Sequence, residues 1–260
     1  MCGSISMTQL QRIAISLSQL QNGQIILTPQ QVHYLYRVLR LRCGDRFIVM
    51  DGRGKWWLAQ LEGEGAQVLE SLVVETELPI AVTLMVALPK GQAFDDVVRY
   101  CTELGVTCMV PVMSDRTLLN PSPQKLERWR RIAQEAAEQS ERAIVPTILE
   151  PVAFSKAIVE LTATHRYICE ARGNLPHLQT VIHQTPSLRT GFQDAMTSEI
   201  IIATGPEGGW TQKELESAIA AGFQPVSLGR RILRAMTAPM VALSLVAGEL
   251  ESVHGSIPDL

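Results

Sequence analysis

The chain has 260 residues, of which 46% are hydrophobic and 19% are charged, and its formal net charge is −3. This balance is typical of a compact soluble protein and excludes an intrinsically disordered chain. The longest uncharged apolar run, residues 235–247, is interrupted by Thr237, Pro239 and Ser244. The first 30 residues lack a basic start followed by an apolar core, so we expect neither a signal peptide nor a membrane span.

The five cysteines lie far apart and form no CxxC pair. This spacing argues against a disulfide framework and against a zinc site. We therefore expect a reduced protein without a bound metal, located in the cytoplasm.

The first 78 residues are predicted to form a small β-domain. Short apolar runs separated by turns indicate strands at residues 12–16, 24–28, 45–50, 55–62 and 67–75. One helix interrupts them, because Thr28 can cap it and Pro29 suits its first turn. Its apolar side chains recur at helical spacing, at Val32, Leu35, Tyr36 and Leu39.

After Leu78 and Pro79 the pattern changes to strands alternating with helices, which places a domain boundary between domains 1–78 and 79–260. Strands are predicted at residues 81–88, 108–113, 166–170, 200–203 and 225–228. Helices are predicted at residues 94–104, 125–142, 154–161, 212–221 and 239–251. This alternation is typical of an α/β domain with a mostly parallel sheet covered by helices.

A glycine-rich loop, residues 204–211, follows the strand predicted at residues 200–203. Thr211 and Glu214 then form a T-x-x-E capping box for the next helix. Glycines let a ligand approach the backbone, and open α/β sheets bind ligands at the carboxyl ends of their strands. The loop matches neither common phosphate-binding glycine motif, and a purely structural turn is the alternative.

A second loop, residues 227–239, follows the strand at residues 225–228 and carries several arginines before the last helix. Cations beside a helix amino terminus attract anions. A solvated basic turn is the alternative interpretation.

The distribution of charge points to a further partner. Between residues 37 and 55, six cationic side chains stand against Asp45 and Asp51, a local charge of +4 in an acidic chain. Cations engage phosphates, and exposed aromatic rings stack on unpaired bases. We therefore expect RNA contact by Arg37, Arg40, Arg42, Arg53 and Lys55. Among the neighbouring aromatic residues Tyr34, Tyr36, Trp56 and Trp57, we expect at least one tryptophan to be buried.

The two loops together resemble those of a known family. GPEGGW at residues 205–210 followed by LGRRILRAMTA at residues 228–238 is similar to the paired loops of the RsmE family, the 16S ribosomal RNA uracil-N3 methyltransferases of the SPOUT superfamily. The resemblance continues upstream in KG at 90–91, TELGV at 102–106, RW at 128–129, EAAEQSER at 135–142 and Pro146. In the first domain, His33, RVLR at 37–40, GD at 44–45 and DG at 51–52 look like that family's PUA-like RNA-binding module.

The resemblance implies a trefoil-knotted α/β domain that binds S-adenosyl-L-methionine in a bent conformation. The residues carried over to one wall of the cofactor site are Thr204, Gly205, Gly208 and Gly209. Those carried over to the other wall are Leu228, Gly229, Ile232 and Leu233, with Arg234 beside them. Glycine backbones and aliphatic side chains suit an adenine held by main-chain hydrogen bonds and apolar packing.

Arg234 is the candidate catalytic residue, because its guanidinium could stabilise a developing uracil anion. The general base is left open. Family members commonly carry Glu before the Thr-Ala pair of the second loop, where this chain has Met236, and Glu207 could act as the base or brace its loop.

One further group of polar residues, Glu135, Glu138, Gln139 and Arg142, falls on one face of the helix predicted at residues 125–142. A solvated stripe would explain this pattern. The resemblance instead places it near the active cleft and the subunit contact, and we expect Arg142 to contact RNA.

The resemblance thus implies a cytoplasmic homodimer whose active sites are each completed by the partner. Its partner is expected to be small-subunit ribosomal RNA in the assembled or nearly assembled subunit, and no membrane. Two alternatives remain: a SPOUT methyltransferase acting on another RNA base, and a non-catalytic RNA-binding protein of the same fold, which Met236 would favour.

Overall fold

A computed structural model of the chain describes residues 10–117, 121–188 and 199–254. The described residues form two compact units. The first contains residues 10–77 and 137–145, and the second contains residues 78–136 and the described residues from 146 onward.

The first unit is built on a six-stranded sheet in the order β1-β4-β5-β6-β3-β2. Its strands are β1 (Arg12–Ala14), β2 (Leu20–Gln21), β3 (Gln24–Ile26), β4 (Arg46–Met50), β5 (Trp56–Glu62) and β6 (Gly65–Leu72). β1 and β4 are parallel, and the remaining neighbours are antiparallel. The strands predicted in this region are confirmed, although several end earlier than expected.

Both faces of β4 are buried. Successive side chains of a strand point to opposite faces, and the four consecutive residues from Phe47 to Met50 are all buried. Phe47 and Val49 join a core that includes Leu35 of the helical segment. Ile48 and Met50 join a second core that residues 137–145 complete through Ala137 and Ala143. The chain therefore returns to the first unit to cover the second face of its sheet.

The helix predicted after Thr28 is confirmed. α1 (Pro29–His33) begins with a capping box in which Thr28 accepts from the backbone N–H of Gln31, and the Gln31 side chain accepts in return from the N–H of Thr28. A π-helical turn, Tyr34–Val38, continues it. A hairpin between β2 and β3 was not predicted. It turns at Asn22 and Gly23, which both have positive φ, at 51° and 81°.

The second unit contains a parallel sheet in the order β10-β8-β7-β12-β11-β13, with β9 also paired to β8. Its strands are β7 (Ala81–Ala87), β8 (Cys108–Met113), β9 (Thr147–Ile148), β10 (Val152–Ala153), β11 (His165–Cys169), β12 (Glu199–Thr204) and β13 (Gln224–Val226). Its helices are α2 (Ala93–Glu103), α3 (Pro123–Gln139), whose last three residues belong to the first unit, α4 (Phe154–Glu160), α5 (Leu178–His183), α6 (Gln212–Ala220) and α7 (Thr237–His254). The predicted parallel α/β arrangement is confirmed.

The helix predicted to reach residue 142 ends earlier, at Gln139. Glu141 has a φ of 60°, in the left-handed region that a right-handed helix cannot use. Arg142 consequently does not share a helical face with Glu135 and Glu138.

Within residues 10–117, 121–188 and 199–254, no helix is both long enough and apolar enough to cross a membrane.

Candidate functional site

The site lies at the carboxyl edge of the parallel sheet in the second unit. β11, β12 and β13 are neighbours or next neighbours and run in the same direction, so the loops that follow them meet at one edge. These loops enclose a cleft that is partly open to solvent, at the edge where α/β sheets bind small molecules.

The cleft is lined by glycine backbone, aliphatic side chains and a few polar groups. Six lining residues were predicted from the sequence: Gly205, Gly209, Leu228, Gly229, Ile232 and Leu233. The others are Cys169, Glu170, Ala171, Pro206, Glu207, Trp210, Arg231, Ala235 and Ala238. The structure thus brings together the two loops that the sequence singled out, and adds the end of β11 as a third wall.

Trp210 links these walls. Its ring stacks on Phe154 with centroids 4.3 Å apart, and its Nε1 donates to the carbonyl of Cys169 at 3.2 Å. An added Cβ at Gly205 would lie 3.3 Å from the same ring, tighter than ordinary side-chain contacts. A glycine at this position therefore lets Trp210 close over the end of β12.

Neighbouring loops brace the glycine-rich loop from outside the cleft. The backbone N–H of Lys90, after β7, donates to Oε1 of Glu207 at 2.9 Å. Arg116, after β8, donates through Nη1 to the carbonyls of Gly208 and Trp210. Glu207 thus makes the bracing hydrogen bond that was one of its two expected roles. Arg116 was not singled out from the sequence, because its role depends on β8 lying near β12 in the sheet.

The start of α6 is fixed in the same way. Thr211 and Glu214 form the predicted capping box, and Glu214 also accepts from the backbone N–H of Asp115 at 2.8 Å. The hydroxyl of Thr211 lies 3.2 Å from a carboxylate oxygen of Asp115. The helix amino terminus is therefore tied to the loop after β8.

The second wall begins with a tight turn after β13. The Ser227 hydroxyl accepts from the N–H of Gly229 at 3.1 Å, and Gly229 has a φ of 118°, a conformation that favours glycine. Further along, the carbonyl of Arg234 accepts from the N–H groups of Thr237 and Ala238 at the start of α7. The loop is thus ordered by hydrogen bonds at both ends.

Three residues expected in the site lie outside the cleft lining. Thr204 is fully buried at the end of β12, and its hydroxyl has no hydrogen-bond partner within the described residues. At Gly208, an added Cβ would point toward Arg116, 3.0 Å from its Cδ. The Arg234 side chain is exposed.

The cleft lining also includes a cysteine, Cys169. Burial raises the pKa of Cys169 to about 12, so the thiol stays protonated. The two carboxylates of the lining, Glu170 and Glu207, each accept one backbone N–H, from Arg172 and Lys90 respectively.

In the first unit, the expected RNA-contacting cations Arg37, Arg40, Arg42, Arg53 and Lys55 are all exposed. None of them forms an ion pair with another described residue. Trp56 is 3% exposed, as expected for at least one tryptophan. The cationic side chains are therefore available to a ligand.

Arg142 departs from its expected role. It is 3% exposed, its Nε lies 3.2 Å from Oε2 of Glu77, and its Nη2 contacts the same oxygen. A guanidinium buried against a carboxylate cannot reach a phosphate without breaking this pair, so Arg142 is assigned a structural role. Glu138 is likewise used inside the first unit, where it accepts from the backbone N–H of Ala14 at 2.9 Å.

Each of the two units contains residues that match a model of a known protein family. Family models for an RNA methyltransferase domain and an RNA methyltransferase PUA domain match residues 76–247 and 27–69, respectively. Ribosomal RNA small subunit methyltransferase E from a Synechocystis strain is 46% identical over 254 residues, covering 96% of this chain and 81% of the relative. The protein of that name from Bacillus subtilis is 28% identical over 95% of this chain and 99% of the relative.

A solved structure of a protein with the same name is also similar to this chain. A crystal structure of ribosomal RNA small subunit methyltransferase E from Neisseria gonorrhoeae, bound to S-adenosyl methionine, is 30% identical, with a TM-score of 0.78. The match covers 90% of this chain and 95% of that one. Because the family model and the relatives each span most of the chain, this protein belongs to the RsmE family of ribosomal RNA methyltransferases, with a PUA-like domain in its amino-terminal part.

Proposed function

We propose that this protein uses S-adenosyl-L-methionine to methylate N3 of one uridine in 16S ribosomal RNA of the small subunit. The observation that carries this proposal is the cleft that the loops after β11, β12 and β13 enclose, lined by glycine backbone and aliphatic side chains. The related protein from Neisseria gonorrhoeae binds S-adenosyl methionine, which supports the same cofactor here.

The residues present suit that cofactor. Leu228, Ile232 and Leu233 offer apolar contact to an adenine ring, while the glycines of the two loops offer backbone hydrogen bonds. The buried Thr204 hydroxyl, unpartnered within the described residues, lies next to Gly205 in the chain and is a polar group that a ligand could satisfy. Glu170 and Glu207 supply negative charge for a cationic ligand.

When bound, S-adenosylmethionine supplies a methyl group on a positively charged sulfur. The protein must align N3 of uracil with that methyl group, remove the N3 proton and stabilise the resulting anion. Arg234 is proposed for the last task, because its exposed guanidinium is a permanently charged donor on the loop that forms one wall. Arg231, which lines the cleft, provides a second positive charge nearby.

The proton acceptor has two candidates among the cleft carboxylates, Glu170 and Glu207. Glu207 also holds the Lys90 backbone, which favours a bracing role for it. Met236 carries no ionisable group, so the base is not supplied at that position in this chain.

RNA affinity is assigned to the exposed cations of the PUA-like domain, Arg37, Arg40, Arg42, Arg53 and Lys55. The resemblance to SPOUT enzymes further supports a trefoil knot, a cytoplasmic homodimer with a shared active site, and a substrate in the form of the assembled or nearly assembled small subunit. We thus propose that residues 1–78, completed by residues 137–145, supply RNA binding, and that the rest of residues 79–260 supplies the chemistry.

The test is methylation of small subunits that lack 3-methyluridine, with S-adenosylmethionine carrying a deuterated methyl group. Mass spectrometry of digested 16S RNA should reveal one labelled 3-methyluridine. A different labelled nucleoside would indicate a SPOUT enzyme of other specificity, and RNA binding without any label would indicate a non-catalytic protein. Naked 16S RNA in a parallel reaction distinguishes free RNA from the subunit as substrate.

A further inference from the structure

Arg116 makes contacts that are unusual for an exposed arginine. Its Nη1 donates to the carbonyl of Gly208 and, at 3.3 Å, to the carbonyl of Trp210. Both acceptors belong to the glycine-rich loop, whereas Arg116 itself lies after β8, more than 90 residues away in the chain. One side chain therefore ties two backbone carbonyls of the glycine-rich loop to a neighbouring loop.

These bonds fix the peptide that joins Gly208 to Gly209. Its carbonyl oxygen accepts from Arg116, and its N–H, on Gly209, donates to the carbonyl of Pro206 at 2.9 Å. Both polar atoms of this peptide are thus engaged. Gly209 lines the cleft and has a φ of 69°, so its position in the wall depends on the orientation of that peptide.

The packing at Gly208 also involves the Arg116 side chain. An added Cβ there would lie 3.0 Å from Cδ of Arg116 and 3.6 Å from its Cβ. A side chain at residue 208 would crowd Arg116, which would have to shift by a few tenths of an ångström to relieve the contact. The absence of a side chain at Gly208 therefore leaves room for Arg116 beside the loop.

We infer that Arg116 is a positioning residue for the cofactor cleft, which holds the Gly208–Trp210 backbone in the conformation that binds the adenosine part of the ligand. The inference rests on the proposed function, because it assumes that this cleft is the cofactor site. Arg116 does not line the cleft and is not expected to touch the ligand.

The first experiment measures the affinity for S-adenosylhomocysteine by calorimetric titration. Arg116→Ala should weaken binding about 10-fold, in the range expected when hydrogen bonds from a charged donor are lost. Arg116→Lys should restore most of the affinity, because a single nitrogen makes both bonds and an ammonium can replace it. Arg99→Ala, which removes an exposed arginine paired with Asp96 on α2, is the matched control and should bind like the wild type. Equal affinities for wild type and Arg116→Ala would overturn the inference.

A double-mutant cycle separates positioning from a general loss of structure. Gly208→Ala should weaken binding in the wild-type background and have no further effect in Arg116→Ala, where the crowded Cδ is gone and the remaining Cβ lies at an ordinary contact distance of 3.6 Å. Additive effects would mean that residue 208 acts inside the cleft, contrary to the inference. Unchanged thermal unfolding of the ligand-free variants is the accompanying control for folding.

A measurement without ligand distinguishes this inference from the proposed function. Hydrogen exchange at the amides of residues 206–211 should become faster in Arg116→Ala and stay unchanged in Arg99→Ala. Faster exchange in a protein that binds no S-adenosylhomocysteine would contradict the proposed function and leave the role of Arg116 in ordering the loop supported. Unchanged exchange would contradict that role whatever the ligand.

Discussion

Arg142 and Glu77 form an ion pair in the first unit, in which the arginine is buried, the glutamate is partly exposed, and Nε of the arginine lies 3.2 Å from Oε2 of the glutamate. The same carboxylate accepts from the backbone N–H of Ile144 at 3.0 Å through its other oxygen. Glu77 is the last residue before the chain enters the second unit, and Arg142 lies in the segment that returns to the first. The pair therefore fastens the returning segment to the end of the β-domain.

Arg142→Ala should lower the stability of the protein by about 3 kcal/mol, because it leaves a carboxylate beside a cavity without its cation. Thermal or urea unfolding would measure this loss. Arg131→Ala, which removes an exposed arginine 3.7 Å from Glu135, should change stability by less than about 1 kcal/mol. A similar small effect for Arg142→Ala would show that the pair contributes little, and would reopen Arg142 as an RNA contact.

Arg234→Ala should reduce methyl transfer at least ~10-fold, which corresponds to about 1.4 kcal/mol of lost transition-state stabilisation. Affinity for S-adenosylhomocysteine should stay close to that of the wild type, because the Arg234 side chain is exposed and lies outside the cleft lining. Rates on small subunits and calorimetric titration provide the two measurements. A parallel loss of cofactor binding would assign Arg234 to the cofactor instead of the uracil.

Changing Arg37, Arg40 and Arg53 together to Glu should weaken RNA binding, since all three side chains are exposed on the PUA-like domain. Loss of three phosphate contacts should reduce the slope of log affinity against log salt by about 2. Binding to 16S RNA over a range of salt concentrations would measure both effects, while affinity for S-adenosylhomocysteine should not change. A folded variant with wild-type affinity and salt slope would place the RNA surface elsewhere, most simply near Arg230 and Arg231.

Cys169 should react with iodoacetamide far more slowly than Cys43 at pH 8. Burial raises the pKa of Cys169 to about 12, and the thiolate is the reactive form, whereas Cys43 is exposed. A time course of alkylation followed by peptide mass spectrometry would compare the two in one sample. Rapid modification of Cys169 in the folded protein would indicate that the cleft wall opens in solution.

The sequence predicted elements whose signals are local. Thr28 and Thr211 begin helices with capping boxes, and their side chains identify these starts without knowledge of the fold. β8 matches its predicted bounds because an apolar run there is followed by polar residues. The hairpin at Asn22 and Gly23 also carried a local signal, a turn dipeptide that favours positive φ, but the flanking strands are too short to alternate visibly.

Contacts between distant segments could not be predicted from composition or spacing. Arg116 meets Gly208 because β8 and β12 both flank β7, and Arg142 meets Glu77 because residues 137–145 return to the first unit. The sequence therefore identified the two loops of the cleft and a bracing role for Glu207, but not the bracing residue Arg116. The trefoil knot implied by the family resemblance stays a prediction. The path of a chain through a knot leaves no periodic signal in the sequence.

Residues 137–145 limit how the β-domain can be transferred from this protein to another. Ala137 and Ala143 complete one core of the β-domain, so a fragment that stops at residue 78 would leave Ile48 and Met50 uncovered on that face. The RNA-binding part cannot be moved between proteins with a single cut. A functional graft must carry both stretches of chain, residues 10–77 and residues 137–145.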